Sequence, residues 1–150
     1  MASTAKTTPR GDTALEIRRT FAAPRERVFA AWTRAEELSQ WSAPGPMTPT
    51  ATVDLRVGGR YRIVMRGPDG VEQRVGGVYR LIDPPAKLVY TWKWEESAGA
   101  ESVVTVEFLD RGTSTEVLLR HEGLESTEQR DRHEEGWKGC LDKLGSFLKT

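Results

Sequence analysis

One cysteine, Cys140, in 150 residues rules out an internal disulfide, so the core alone must hold the fold, and a reducing compartment is the simpler assumption. Histidine is almost as scarce. His121 and His133 have no Cys or carboxylate at ligand spacing and no HxxxH or CxxC occurs, so neither a metal nor a cofactor is expected. Charge of one sign is also lacking. The 22 basic and 22 acidic residues cancel, which removes the long-range field that gathers nucleic acid or an anionic membrane surface. No apolar run approaches the ~20 residues of a membrane span, and the N-terminal stretch has no signal-like apolar segment, so the cytoplasm is the expected location. Paired glycines at 58–59 and 76–77 form neither a GxGxxG nor a phosphate-binding loop and read as bends. Tryptophan, by contrast, is plentiful at five residues, each large enough to dominate its surroundings.

A chain of this length is most simply one domain that buries roughly 70% of its unfolded surface. Residues 1–13 lack a periodic apolar face and predict a flexible tail, leaving 14–150 as the domain. Leu15 to Phe21 alternates as a half-buried strand, with Leu15, Ile17 and Phe21 inward. Pro24 suits a first helical turn, and Val28, Ala31, Trp32 and Ala35 follow on one face. Thr33 with Glu36 has capping-box spacing and predicts a second short helix ending near Trp41, after which Pro44, Pro46 and Pro49 impose an extended connection.

From Val53 to His121 the period is two. Tyr61, Ile63 and Met65 share one face, and Arg60, Arg62 and Arg66 share the other, which reads most simply as solvated. Gly67-Pro68-Asp69-Gly70 predicts a hairpin turn, and Gly76-Gly77 a bulge or bend. Leu88, Tyr90, Trp92 and Trp94 share a face, as do Val104, Val106 and Phe108, then Val117, Leu119 and His121. Ser126 with Gln129 predicts the start of a helix over about 127–148. Its second half carries the apolar stripe Trp137, Cys140, Leu141, Leu144, Phe147 and Leu148, while Arg130 and His133 occupy that stripe earlier, either at a cavity mouth or in solvent. Gly136 and Gly139 either permit close approach or are simply tolerated at about 1 kcal/mol each.

The motifs Phe21-x-Ala-Pro24, Val28-Phe29-x-x-Trp32, Leu38-x-x-Trp41, Val57-Gly58-Gly59-x-Tyr61 and Ile82-Asp83-Pro84-Pro85-x-x-Leu88-Val89-Tyr90-Thr91-Trp92 resemble the START/SRPBCC superfamily. Thr105-Val106-x-Phe108, Gly112-Thr113, Leu119-x-His121-x-Gly123-Leu124 and Gly136-Trp137 extend the similarity over about residues 14–149. Within the superfamily, the nearest branch is the one named after the activator of the heat-shock protein 90 ATPase. The resemblance implies an α+β helix-grip (START/Bet v-like) fold: a curved antiparallel sheet of six or seven strands around a long C-terminal helix, with two short helices after the first strand and an apolar cavity between sheet and helix.

On that expectation, Trp32, Trp41, Tyr61, Met65, Tyr90, Trp92, Trp94, Phe108, His121, His133 and Trp137 are the candidate ligand wall. The same rings at strand and helix spacing equally describe a filled core. Tyr61, His121 or Arg130 would orient a ligand. His121 is either a cavity-facing hydrogen-bonding group or general base, or a structural histidine satisfied by backbone. Cys140 reads as ordinary packing. The expected function is non-catalytic binding of a small hydrophobic or aromatic molecule, by a monomer or homodimer. Superfamily relatives supply two alternatives: a polyketide cyclase-like enzyme using His121, Tyr61 or Glu107, and a co-chaperone-like module contacting a heat-shock ATPase.

Overall fold

The computed structural model describes residues 13–97 and 101–149. In chain order these form β1 (Leu15–Phe21), α1 (Arg25–Thr33), α2 (Ala35–Leu38), β2 (Thr48–Val53), β3 (Arg60–Arg66), β4 (Glu72–Asp83), β5 (Lys87–Trp94), β6 (Ser102–Asp110), β7 (Thr115–Glu122) and α3 (Thr127–Leu148). Except for Thr13, whose carbonyl accepts from the Leu124 N–H, the expected N-terminal tail lies outside the described residues.

The strands make one antiparallel sheet in the order β1-β7-β6-β5-β4-β3-β2. Successive hairpins generate β2 to β7, and β1 is added beside β7. Alternation decides which face is buried: Tyr61, Ile63 and Met65 point inward on β3 while Arg60, Arg62 and Arg66 are exposed. Arg66 pairs with Glu72 on the adjacent β4, and Arg62 reaches Glu95 just beyond β5, and such solvated ion pairs add little to stability. The sheet curls around α3, whose Trp137, Cys140, Leu141 and Leu144 are buried. Ser126 caps that helix as its spacing predicts, its side chain accepting from Gln129 N–H at 3.1 Å.

Three local details differ from expectation. The Thr33 hydroxyl donates to Phe29 O at 2.9 Å, so Thr33 closes α1, and Arg34 is the N-cap of α2. With that side chain committed to the preceding turn, α2 is a single turn ending at Leu38, and Trp41 lies in the bend beyond it. The connection containing Pro49 becomes β2, because Pro49 sits on the sheet edge, where a missing N–H leaves no ladder bond unmade. The register shift in β4 falls between Tyr79 and Leu81 rather than at Gly76-Gly77. Those glycines serve close approach instead: a Cβ on Gly77 would lie 2.0 Å from Thr91 O, and one on Gly76 would lie 2.7 Å from Tyr61 O.

Candidate functional site

Between the concave face of the sheet and α3 lies a partly open cavity of about 460 Å³. It exists because the aromatic side chains form clusters around the space rather than one continuous stack. Phe29, Trp32, Trp41 and Phe108 pack edge to face, with Trp32 centroids 4.6 Å from Trp41 and 5.6 Å from Phe108. Trp41 Nε1 donates to Ala31 O at 3.0 Å, which pins the bend after α2 against α1. Trp32 and Trp41 present rings to the cavity, joined by Leu38, Pro44 and Met47.

Three tyrosines supply another part of the wall. Tyr61, Tyr79 and Tyr90 come from β3, β4 and β5, with ring centroids 5.2–6.1 Å apart. The Tyr61 hydroxyl donates to Thr91 O at 2.6 Å, and Tyr90 Oη accepts from Trp32 Nε1 at 3.1 Å. Burial raises the pKa of all three phenols, so they remain protonated donors.

A further cluster combines Trp92 and Trp94 of β5, His121 of β7, and His133 and Trp137 of α3. The two imidazole centroids are 5.2 Å apart. Trp137 Nε1 donates to His121 Nδ1 at 3.1 Å, which fixes the neutral tautomer with its proton on Nε2. That Nε2–H faces Ser102 Oγ at 2.8 Å, and the serine hydroxyl donates onward to Trp92 O at 3.1 Å. Burial first, and then the neighbouring His133, push the His121 pKa down to about 3. His133 mirrors this arrangement with the opposite tautomer. Trp94 Nε1 donates to its Nε2 at 3.0 Å, and its Nδ1–H donates to Gln129 O at 2.7 Å. Burial lowers its pKa as well. The nitrogens of both rings are therefore committed to hydrogen bonds, and no group of His, Cys, Asp and Glu suited to a metal ion forms among the described residues.

Trp32, Trp41, Tyr61, Met65, Tyr90, Trp92, Trp94, His133 and Trp137 all line the cavity. Phe108 and His121 do not. Phe108 is spent on Phe29 and Trp32, and His121 lies fully buried behind the Trp92 and Trp137 rings. Side chains, not backbone, take both nitrogens of His121. Arg130 is also off the wall and pairs with Asp131, whereas Arg132 lines the cavity. The polar first half of α3 does border the opening, through Gln129, Arg132 and His133. Glu107 alternates with the buried Val106 and Phe108 on the outer face of β6. Cys140 lines the cavity, and burial pushes its thiol pKa up to about 12, leaving it protonated and unreactive.

Several wall residues are not apparent from composition alone. Tyr79 was within reach of sequence, since it is two residues beyond Gly77 on the inward face that begins at Val75. Ser42 and Gln73 carry no such signal. Two wall groups, Ser42 Oγ and Trp92 Nε1, are buried without a hydrogen-bond partner among the described residues.

A curled antiparallel sheet gripping a C-terminal helix across an aromatic cavity defines a helix-grip domain. The family model for Activator of Hsp90 ATPase homolog 1-like protein matches residues 22–149. The chain belongs to that family. Among solved structures, the AHSA1 protein from Silicibacter pomeroyi is 31% identical with a TM-score of 0.83, over 91% of this chain and 97% of that one. Protein CV1439 from Chromobacterium violaceum shares the fold with a TM-score of 0.86 at 21% identity, over 92% and 98% of the two chains. An HSP90 activator from Plasmodium falciparum is 27% identical with a TM-score of 0.73, over 91% and 96%. No curated protein sequence matches the chain.

Proposed function

We propose that this protein binds a small, flat, hydrophobic molecule in the cavity between sheet and α3 and does not transform it. The observation that carries this reading is an aromatic-walled space of about 460 Å³, within the roughly 300–1,000 Å³ typical of small-molecule sites. Apolar rings supply the contact area, and a few polar groups at the opening supply orientation. The cyclase-like alternative has less support, because the groups it would use are committed elsewhere. His121 is neutral and hydrogen-bonded at both nitrogens, Tyr61 donates to Thr91 O, and Glu107 is on the outer face.

Native mass spectrometry of protein purified from its own host, set against a denatured extract, tests the binding reading. A reproducible added mass that denaturation releases supports it and gives the ligand class. Bare protein that also takes up no apolar compound from a panel of polycyclic probes contradicts it.

A second reading has its own support in the family assignment and in the likeness to an HSP90 activator: contact with a heat-shock ATPase. Stimulation of a purified heat-shock ATPase by the protein would support that reading, and the absence of both binding and stimulation would remove it.

A further inference from the structure

The inward phenols of β4 and β5 differ from the rest of the wall in how their hydrogen-bonding capacity is used. Tyr61 donates to a backbone carbonyl, so its proton is taken. Tyr90 Oη accepts the indole proton of Trp32, yet its own O–H is donated to no other group among the described residues. Tyr79, only 3% exposed, has no hydrogen-bond partner among the described residues, and burial is the sole cause of its raised pKa. Both rings line the cavity with centroids 6.1 Å apart. The Tyr79 hydroxyl is not sealed off, since the fully enclosed side-chain atoms without a partner among the described residues are Arg25 Nε, Ser42 Oγ and Trp92 Nε1, so Tyr79 Oη stays accessible and can still donate. The spare capacity is of donors, and Trp92 Nε1, a third wall donor, is also without a partner among the described residues.

We infer that Tyr79 and Tyr90 form a two-hydroxyl anchor for an uncharged carbonyl oxygen on a planar apolar ligand, an aryl ketone or quinone in chemical class. This deepens the binding reading above and rests on it. A carbonyl oxygen has two lone pairs and can accept from both phenols at once. A hydrocarbon would leave both donors unpaired. A carboxylate would bring a charge to a place where the neighbours are Tyr61, Trp32 and Cys140 and no cation acts on either phenol, a costly burial without a counter-ion. The charged wall residues lie elsewhere: Arg132 on the first half of α3, Glu125 just before that helix, and Lys93, whose ammonium donates to Ser97 O. The ligand's carbonyl end accordingly points to the tyrosines, and any polar substituent to the opening.

The test compares acetylnaphthalene with isopropenylnaphthalene, which replaces C=O by C=CH₂ at nearly the same shape. Affinities are measured for the wild type, Tyr79→Phe, Tyr90→Phe and the double variant, together with the infrared carbonyl band of the bound ketone. Tyr79→Phe removes a hydroxyl with no protein partner and leaves the ring, so the fold is retained. The anchor predicts that the ketone's advantage over the alkene falls about tenfold in Tyr79→Phe and further in the double variant, the ratio being the readout because Tyr90→Phe also strands the Trp32 indole N–H. It also predicts that the carbonyl band, lowered in the wild type, moves back up. Binding of both compounds with a ratio that no variant alters overturns the anchor and leaves the binding reading intact. Equal losses for ketone and alkene overturn it as well, since the hydroxyl would then act through packing. If neither compound binds the wild type, the anchor is overturned, and the binding reading is decided by the native mass measurement and the probe panel.

Discussion

The indole N–H of Trp137 on α3 donates to Nδ1 of His121 on β7 at 3.1 Å. This bond ties the helix to the sheet behind the cavity wall, and it accounts for the chemistry of the histidine. With Nδ1 occupied as an acceptor and Nε2–H facing Ser102, protonation of the ring would displace the indole and charge a fully buried group. His121 thus packs neutral behind the Trp92 and Trp137 rings, whose centroids are 5.3 Å apart, with both its nitrogens engaged.

Stability should depend on pH for the same reason. The folded His121 pKa is about 3 against 6.5 for an exposed imidazole. Between these values the unfolded chain binds a proton that the folded chain does not, so the His121 contribution is whole above pH 6.5 and declines as pH falls toward 3. Two pH units of that window correspond to about 2–3 kcal/mol. Urea unfolding from pH 6.5 down to 5.5, a unit above the ordinary glutamate value of 4.5, should show the first part of that loss, about 1 kcal/mol. A flat profile, or an NMR titration of folded His121 near its ordinary value, contradicts the assignment. Ser102→Ala should separately cost about 1–3 kcal/mol by stranding Nε2–H.

His133 should titrate in the folded protein, below its ordinary value, because it is only half-buried at the cavity opening. Burial is the main cause of the shift. The Arg132 guanidinium adds to it, while the bond to Gln129 O opposes it. Protonation fills Nε2, so Trp94 Nε1–H loses its acceptor. The indole ¹H–¹⁵N resonance of Trp94 should therefore move with a midpoint below pH 6.5. In His133→Phe that movement should vanish. An indole resonance that ignores pH in the wild type would show that the bond is not held.

Glycine positions should respond in opposite directions. An added methyl at Gly77 meets Thr91 O at 2.0 Å, backbone that cannot yield cheaply, so Gly77→Ala should destabilise by about 2–3 kcal/mol. At Gly136 the same methyl meets only Pro44 Cγ at 4.0 Å, and the gain in helix propensity should stabilise by up to about 1 kcal/mol. Gly139 lies between, with Pro44 Cβ at 3.1 Å. Thermal unfolding of the three variants orders them, and equal effects at Gly77 and Gly136 would contradict the packing described.

Cys140 should resist alkylation in the folded protein. Its thiol is buried, with a pKa pushed up to about 12, so almost no thiolate exists at neutral pH. Labelling at pH 8 should proceed only after denaturant is added, and rapid labelling of the native protein would mean that the cavity is more open than described.

The sheet was legible because period-two alternation at Tyr61, Ile63 and Met65, and at Leu88, Tyr90 and Trp92, is a direct consequence of strand geometry. The long helix was legible through the Ser126 cap and the stripe from Trp137 to Leu144. Depth was not. Alternation places Phe108 and His121 on the inward face, yet it cannot tell that the Trp92 and Trp137 rings screen His121 from the cavity. Capping chemistry misled at Thr33, whose hydroxyl has a carbonyl within reach in its own helix. The edge strand around Pro49 was hidden because proline argues against a strand unless its place in the sheet is known. Tyr79 could have been found by extending the alternation through the two glycines from Val75.

The central claim is that the space between sheet and α3 is a binding site. Its most direct test is an NMR titration of the side-chain resonances with acetylnaphthalene. The account predicts saturable shifts at Trp41, Tyr79, Tyr90, Trp92 and Trp137, with intermolecular contacts to those rings. Shifts confined to the arginine-rich outer face, or no shifts at saturating probe, would contradict it.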